Sequence, residues 1–303
     1  MKFDFLSESD QAYFIHKAST LVEALPYIRQ HSGKNIVIKY GGHAMGNSVL
    51  SKNFSKDIGL LKEVGINPII VHGGGPQIAE MLKKKNINSN FLEGLRVTDK
   101  ETVKIVEEVL SNDINSKIVN DINLTGGKAI GLSGNKDNLI KAEKLNLKIK
   151  DSDSNIENIL DLGFVGKPVK INVSLITKII SKDLIPVIAP LGIDELGNTY
   201  NINADTVAGV IAGSMKANKL LLLTDVAGIL NEKKELISLL SIEEAKKIIT
   251  KKFVKGGMKP KITTCINAID QGVEKATILD GRISHSIILE LFTEHGIGTQ
   301  IYS

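Results

Sequence analysis

Two apolar segments of this chain end in glycines and lead directly into helical patterns. Residues 35–40 are followed by Gly41 and Gly42, and residues 68–72 are followed by three glycines and a proline at 73–76. A strand that ends in glycines leaves the next backbone N–H groups free to approach an anion closely. The positive N-terminal end of a following helix favours the same ligand. The pattern therefore predicts an α/β fold with a site for a highly charged phosphate group.

Strand and helix patterns alternate along most of the chain. Apolar runs predict strands at 35–40, 68–72, 128–131, 184–189, 218–223 and 275–279. Apolar residues at helical spacing predict helices at 8–25, 47–64, 76–86, 98–125, 174–182, 204–213, 242–249, 258–271 and 285–293. Such alternation predicts a mostly parallel sheet with helices on both faces. Ligands of such sheets sit at the carboxyl ends of the strands.

Two stretches depart from this alternation. We expect Pro26 to interrupt the first helix, so that a second, short helix follows it. Most of 128–175 is rich in lysine and aspartate and predicts hairpins or loops that form a solvated excursion on the surface.

Composition excludes several classes of protein. The 303 residues predict one large α/β domain or two lobes. A formal charge of +4 and only 4% aromatic residues argue against a nucleic-acid partner. Apolar runs are too short to cross a membrane, and the N-terminus resembles no signal or transit peptide. The single cysteine, Cys265, excludes an internal disulfide and predicts a reducing compartment.

Lysines next to glycines are the first candidates for chemistry. Lys39 ends a strand beside Gly41, and Lys255 and Lys261 flank a second glycine pair at a helix start. Two lysines from distant parts of the chain can neutralise a transferring phosphoryl group from opposite sides. His72, just before the glycine run, is interpreted as a packing or hydrogen-bonding residue rather than a catalytic base.

Arginine is rare in this chain, so Arg96 is a candidate for a task that lysine performs poorly. Its fork-shaped guanidinium can bind a substrate carboxylate through two hydrogen bonds. The alternative is a structural salt bridge with Glu93 or Asp99.

Three polar residues, Asn201, Asn203 and Asp205, precede a helix of small residues. One of them suffices to cap the helix, which leaves Asp205 to orient lysines and Asn201 to bind a ligand. No group of residues has metal-ligand spacing, and no nucleophile–base signature is present.

Taken together, six motifs closely resemble those of the acetylglutamate kinases within the amino-acid kinase family: IVIKYGG, VHGGGP, EGLRVTD, NTYNINAD, LTDVAGIL and GGMKPK. The resemblance runs from about residue 31 to the C-terminus. It implies a three-layer α/β/α open sandwich and ATP-dependent phosphorylation of the side-chain carboxylate of N-acetyl-L-glutamate, an early step of arginine biosynthesis. It also implies an N-terminal helical extension (1–30), an N-lobe for the amino-acid substrate and dimerisation (31–190), and a C-lobe for ATP and arginine (191–303).

The resemblance assigns roles to individual residues. The catalytic residues are Lys39, Lys261 and Asp205. The acetylglutamate contacts are Gly74, Gly75, Arg96 and Asn201. The nucleotide contacts are Gly41, Gly42, Asp225, Gly228 and Lys255, within stretches that include 225–230 and 253–255. Because the attacking carboxylate is already charged, no general base is required, and Mg²⁺ arrives on ATP with few protein ligands.

The N-terminal helix and residues 285–299 resemble the arginine-inhibited members, which are homohexamers built as trimers of dimers. The regulatory candidates are His285, Glu290 and Gly296, while Gln300 departs from the apolar residue usual there. Arginine is therefore an expected inhibitor, and binding of a PII-type signalling protein is left open. The compartment is expected to be the bacterial cytoplasm or, for a plastid-encoded chain, the plastid (chloroplast) stroma.

Four other functions compete with this interpretation. A carbamate kinase needs no clamp for a second carboxylate, so Arg96 argues against it. Aspartate kinases carry regulatory domains, for which we expect no room after Ser303. A non-catalytic arginine sensor on the same fold is expected to lack Lys39, Lys261 or Asp205. A nicotinamide-dependent oxidoreductase is expected to carry a dinucleotide fingerprint, which is missing.

Overall fold

The computed structural model describes residues 6–150, 157–251, 253–254 and 256–303. Lys255, one of the expected nucleotide contacts, lies outside the described residues. The strands are β1 Asn35–Tyr40, β2 Asn67–His72, β3 Phe91–Leu92, β4 Leu95–Arg96, β5 Ala129–Ser133, β6 Ile140–Lys150, β7 Glu157–Ile171, β8 Ile185–Ala189, β9 Leu191–Ile193, β10 Thr199–Asn201, β11 Lys219–Thr224, β12 Leu239–Ser241, β13 Lys275–Asp280 and β14 Thr299–Tyr302.

The helices cover both faces of the sheet. They are α1 Glu8–His31, α2 His43–Gly46, α3 Ser48–Glu63, α4 Gly75–Lys84, α5 Lys100–Glu108, α6 Asn115–Leu124, α7 Val173–Ile180, α8 Ala204–Ser214, α9 Ile242–Ile248, α10 Met258–Asp270 and α11 Ser286–Phe292. A π-helical segment, Val109–Ile114, joins α5 to α6. Within the described residues, no helix is both long and apolar enough to cross a membrane.

Within the described residues, the centre of the molecule is an eight-stranded sheet in the order β12-β14-β13-β11-β1-β2-β8-β5. Its pairs are parallel except for β13 with β14. Ile36 and Ile38 of β1 pack into the core on one face, and Val37 packs into the core on the other. Alternation of this kind buries both faces of the strand, as a parallel sheet between helices requires. The three-layer α/β/α fold with a mostly parallel sheet is confirmed.

The register of the central strands brings the two glycine runs together. In β1 and β2 the last residues, Tyr40 and His72, are direct partners, so both strands end at the same level. The N–H of Gly73 donates to the carbonyl of Tyr40 at 2.7 Å. The glycines that follow the two strands therefore lie side by side at the carboxyl edge of the sheet.

His72 is fully buried and fixes the end of β2. Its Nδ1 donates to the carbonyl of Gly73 at 2.9 Å, while the Asn115 amide donates to its Nε2 at 3.1 Å and to the carbonyl of Val187 at 2.9 Å. Burial lowers the pKa of His72 to about 4, so the ring is neutral near pH 7. Its interpretation as a packing and hydrogen-bonding residue is confirmed.

A hairpin is present at 128–175 as expected, but its interpretation as a solvated surface excursion is wrong. β6 and β7 form a long antiparallel pair and close into a four-stranded sheet with β9 and β10. Leu139, Ile140, Leu162 and Val165 are buried in it or beside it. Charged residues such as Lys141, Glu143 and Lys167 are exposed on these strands, and their frequency in the composition hides the buried positions.

The expected break at Pro26 is also wrong, because α1 is one continuous helix with Pro26 inside it. The turns beyond the proline are held by packing of Tyr27 and Ile28 on the core. His31 adds a hydrogen bond from Nδ1 to Oδ1 of Asn218 at 3.1 Å. Tertiary contacts thus stabilise a helix from which proline removes one backbone hydrogen bond.

Candidate active site

A carboxylate between two lysines lies at the carboxyl edge of the sheet. Oδ1 of Asp205 is 3.0 Å from Nζ of Lys39, and its Oδ2 is 2.5 Å from Nζ of Lys261. The three side chains are only 10–15% exposed. They come from β1, α8 and α10, so residues far apart in sequence meet at one point. We call Lys39, Asp205 and Lys261 the lysine–aspartate cluster.

Asn203 leaves Asp205 available for this cluster. Its side-chain oxygen caps α8 by accepting from the N–H groups of Asp205 at 2.9 Å and Thr206 at 3.1 Å. Burial alone would raise the pKa of Asp205, but the ammonium groups of Lys39 and Lys261 outweigh it and hold that pKa at about 2. Asp205 is therefore ionised near pH 7, and the cluster keeps a surplus of positive charge for a phosphate.

A cavity of about 220 Å³ opens next to the cluster. It brings together seven of the site residues predicted from the sequence: Lys39, Gly42, Gly74, Gly75, Arg96, Asn201 and Asp205. Its apolar wall includes Phe91, Leu110 and Val165, which the sequence analysis did not single out. Phe91 lies on the β3–β4 hairpin and Val165 lies on β7, and neither position was predicted to line a site.

Gly74 packs closely against two side chains. A Cβ at this position would lie 2.5 Å from Cδ1 of Ile114 and 2.7 Å from Cδ2 of Leu110. Both residues belong to the π-helical segment that interrupts the helix expected at 98–125. Single π-helical turns of this kind often occur at functional sites. Gly75 has no heavy atom within 4 Å of the corresponding Cβ position.

Arg96 is buried and points into the cavity. Its Nη2 donates to the carbonyl of Gly75 at 3.0 Å, and its Nη1 donates to the hydroxyl of Ser89. In the described part of the chain it forms no ion pair with Glu93 or Asp99; the Asp99 side chain instead caps α5. The structural salt bridge considered from the sequence is therefore wrong.

Asn201 ends β10 on the same cavity, where its amide donates to the hydroxyl of Thr98 at 3.4 Å.

The expected nucleotide stretch begins at Asp225, directly after β11, the neighbour of β1 in the sheet. Gly228 has a φ of +153°, and a Cβ there would lie 2.6 Å from Oγ1 of Thr299. Gly41 is less confined, since its Cβ would lie 3.1 Å from Nζ of Lys39, the flexible end of that side chain.

Two of the regulatory candidates meet in a second cavity of about 360 Å³. Glu290 is buried there and bonds to Nζ of Lys219 at 2.8 Å. Gly296 packs on it so closely that a Cβ would lie 2.5 Å from a Glu290 carboxylate oxygen. His285 is not part of this cavity, because its Nδ1 bonds to Oδ1 of Asp57 on α3 at 2.6 Å.

The packing around Gly74 makes a prediction about stability. Gly74→Ala forces its new methyl group against Leu110 and Ile114, so the free energy of unfolding is expected to fall by about 1–3 kcal/mol. Gly75→Ala meets open space and serves as the matched control, with a change of less than about 0.5 kcal/mol. Urea unfolding of both variants measures the difference. Equal stability of the two variants would contradict the packing described here.

Known proteins resemble this chain along nearly its whole length. An acetylglutamate kinase of Rhodospirillum centenum is 56% identical over 288 residues, covering 95% of this chain and 94% of the relative. An acetylglutamate kinase of Bradyrhizobium diazoefficiens is 52% identical over 288 residues, covering 95% of this chain and 98% of the relative.

Solved structures share the fold. An N-acetylglutamate synthase of Neisseria gonorrhoeae, complexed with coenzyme A and N-acetylglutamate, superposes with a TM-score of 0.81 at 26% identity. That match covers 94% of this chain but only 63% of the synthase chain. A carbamate kinase from Giardia gives a TM-score of 0.63 at 15% identity, over 89% of this chain and 99% of its own, which supports the fold alone. The model of the amino acid kinase family matches residues 34–280, and the chain belongs to that family.

Proposed function

We propose that this chain phosphorylates the side-chain carboxylate of N-acetyl-L-glutamate with ATP, yielding N-acetyl-L-glutamyl 5-phosphate for arginine biosynthesis. The observation that carries the proposal is the lysine–aspartate cluster at the mouth of a cavity with a buried arginine. The relatives named acetylglutamate kinase, at 52–56% identity over most of the chain, support the same substrate.

In this mechanism the protein supplies charge and alignment. The acceptor carboxylate is itself the nucleophile, so no side chain has to remove a proton. Lys39 and Lys261 neutralise the charge that spreads over the phosphoryl oxygens as the group moves from ATP to the carboxylate. Asp205 holds the two ammonium groups in place at 3.0 and 2.5 Å. Holding the reacting groups in line supplies much of the remaining acceleration.

The amino-acid substrate occupies the 220 Å³ cavity in this proposal. Arg96 binds its α-carboxylate, which a carbamate substrate would not have. Asn201 and the backbone N–H groups of Gly74 and Gly75 bind the other polar groups of acetylglutamate. ATP, with Mg²⁺ bound to its phosphates, occupies the region of Gly41, Gly42, Asp225 and Gly228. Lys255, outside the described residues, stays a predicted nucleotide contact. The lobe boundaries expected from the sequence (31–190 and 191–303) stay a prediction. Both proposed sites draw on both segments, because Asn201 belongs to the amino-acid site and Gly41 and Gly42 belong to the ATP site.

Arginine inhibition is a second part of the proposal. The 360 Å³ cavity contains a buried carboxylate, Glu290, suited to a guanidinium, and the ammonium of Lys219, suited to a carboxylate. Tyr27 and His31 of α1 line the same cavity. Nearer the N-terminus of α1, the apolar side chains of Phe14, Leu21 and Val22 are exposed. The exposure of this apolar face, which could pair between subunits, supports the proposed homohexamer, a trimer of dimers.

Two further expectations concern partners and compartment. The bacterial origin of the relatives reported above supports the bacterial cytoplasm over the plastid stroma. Binding of a PII-type signalling protein stays a prediction.

A coupled ADP-release assay tests substrate and mechanism together. With acetylglutamate, glutamate, aspartate and carbamate offered separately, acetylglutamate is expected to be the preferred acceptor. Lys261→Ala should lower kcat for it by about 100-fold or more, with little change in acetylglutamate binding. Lys259→Ala, an exposed lysine on the same helix, is the matched control and should keep the wild-type kcat. Preference for carbamate, or an unchanged kcat in Lys261→Ala, would overturn the proposal.

Deletion of residues 1–25 tests the role of α1. Without the exposed apolar face the protein is expected to form dimers. Arginine inhibition should weaken because the shortened helix no longer holds Tyr27 and His31 firmly in the second cavity. Light scattering and arginine titration of the activity measure the two effects. Leu21→Lys should reproduce the loss of hexamers, whereas Glu23→Ala on the same helix should not. Hexamers that survive the deletion would disprove this assembly.

A further inference from the structure

A short hairpin places an aromatic ring on the guanidinium of Arg96. Its turn residues, Glu93 and Gly94, have φ values of 49° and 77°, the left-handed conformation that a two-residue type I′ turn requires at both positions. This turn pairs Phe91 of β3 directly with Arg96 of β4. Directly paired residues project from the same face of a hairpin. The guanidinium carbon of Arg96 consequently lies 4.6 Å from the centre of the Phe91 ring.

Two hydrogen bonds complete the restraint on Arg96. Ser89, just before the hairpin, accepts from Nη1, and the carbonyl of Gly75, in the glycine run, accepts from Nη2. A guanidinium carries five N–H donors, so these two bonds leave three for a ligand in the cavity. The ring covers one face of the planar group without consuming a donor. The guanidinium is thus held in one orientation while most of its donors stay available.

Phe91 itself has little part in the core. Its side chain is 55% exposed, an unusual position for a large aromatic group at the mouth of a cavity. Leu92, the next residue, projects from the opposite face of the hairpin and does not line the cavity. The hairpin therefore offers two exposed apolar side chains, Phe91 at 55% and Leu92 at 39%, and the guanidinium of Arg96 stacks on Phe91.

We propose that Phe91, stacked on the guanidinium of Arg96, and Ser89, bonded to it, are positioning residues that orient Arg96 toward the α-carboxylate of the substrate. This inference rests on the proposed role of Arg96 in binding acetylglutamate. Arginine has a long side chain whose ordering on binding costs affinity, and prior ordering removes that cost.

Substitution of Phe91 separates the aromatic contact from simple bulk. Phe91→Leu keeps an apolar side chain but loses the ring, so KM for acetylglutamate should rise by about threefold to tenfold, as expected for a cation–π contact of ordinary strength. We expect kcat and KM for ATP to stay within about twofold, because only ground-state binding of the acceptor is affected. Phe91→Tyr keeps an aromatic ring and should keep the wild-type KM. Leu92→Ala is the matched control and should keep it as well. An unchanged KM in Phe91→Leu, or a defect that Phe91→Tyr does not repair, would overturn the inference.

A substrate analogue identifies the group that Arg96 is oriented to bind. 4-Acetamidobutanoate keeps the acetamido group and the reacting carboxylate of acetylglutamate but lacks the α-carboxylate. Wild type and Phe91→Leu should use it with equal KM, because no α-carboxylate is present to be bound. A Phe91→Leu defect of the same size with this analogue would contradict the positioning role.

Arg96→Gln separates this inference from the proposed function. If Arg96→Gln leaves KM for acetylglutamate unchanged, the proposed role of Arg96 fails, and the inference fails with it. If Arg96→Gln raises that KM strongly while Phe91→Leu does not, only the positioning role of Phe91 is wrong. Thermal unfolding of each variant confirms that the comparison is made on folded protein.

Discussion

The ion pairs of one buried carboxylate with two lysines are the interaction on which the candidate site depends. A buried charge without partners is costly, and removing one partner of a buried pair costs about 3–5 kcal/mol. Lys39 and Lys261 stabilise Asp205 in its ionised form, and Asp205 in turn keeps two like charges close together. Because the three residues come from β1, α8 and α10, the cluster forms only when these three elements are packed together.

A single central strand, β11, runs from the cavity proposed for arginine to the stretch proposed for ATP. It begins at Lys219 and ends beside Asp225. β11 pairs with β1, and Leu222 of β11 lies directly beside Lys39 of β1. A ligand at one edge of the sheet is therefore separated from the phosphate site by a single buried strand. The lysine–aspartate cluster and the Lys219–Glu290 pair lie at opposite ends of that strand.

Sequence patterns correctly predicted the elements that depend on neighbouring residues alone. Alternating apolar runs and glycines located β1, β2 and the site at their ends, and resemblance of motifs located Lys39, Asp205 and Lys261. The failures required tertiary information. Pro26 is tolerated because α1 packs on the core, and the π-helical segment forms where Leu110 and Ile114 meet Gly74. The burial of the strand pair at 140–171 was missed because charged residues dominate its composition. The hairpin that holds Phe91 on Arg96 was missed because its strands have only two residues each.

The kcat of Asp205→Asn tests the central claim most directly. Without the carboxylate the two ammonium groups repel each other, so kcat should fall by about 100-fold or more while the KM values change little. Asp183→Asn is the matched control, since Asp183 also lies between two lysines, Lys62 and Lys128, but on the surface. Its kcat should equal that of the wild type. If folded Asp205→Asn retained wild-type kcat, the lysine–aspartate cluster would not be the phosphoryl-transfer site.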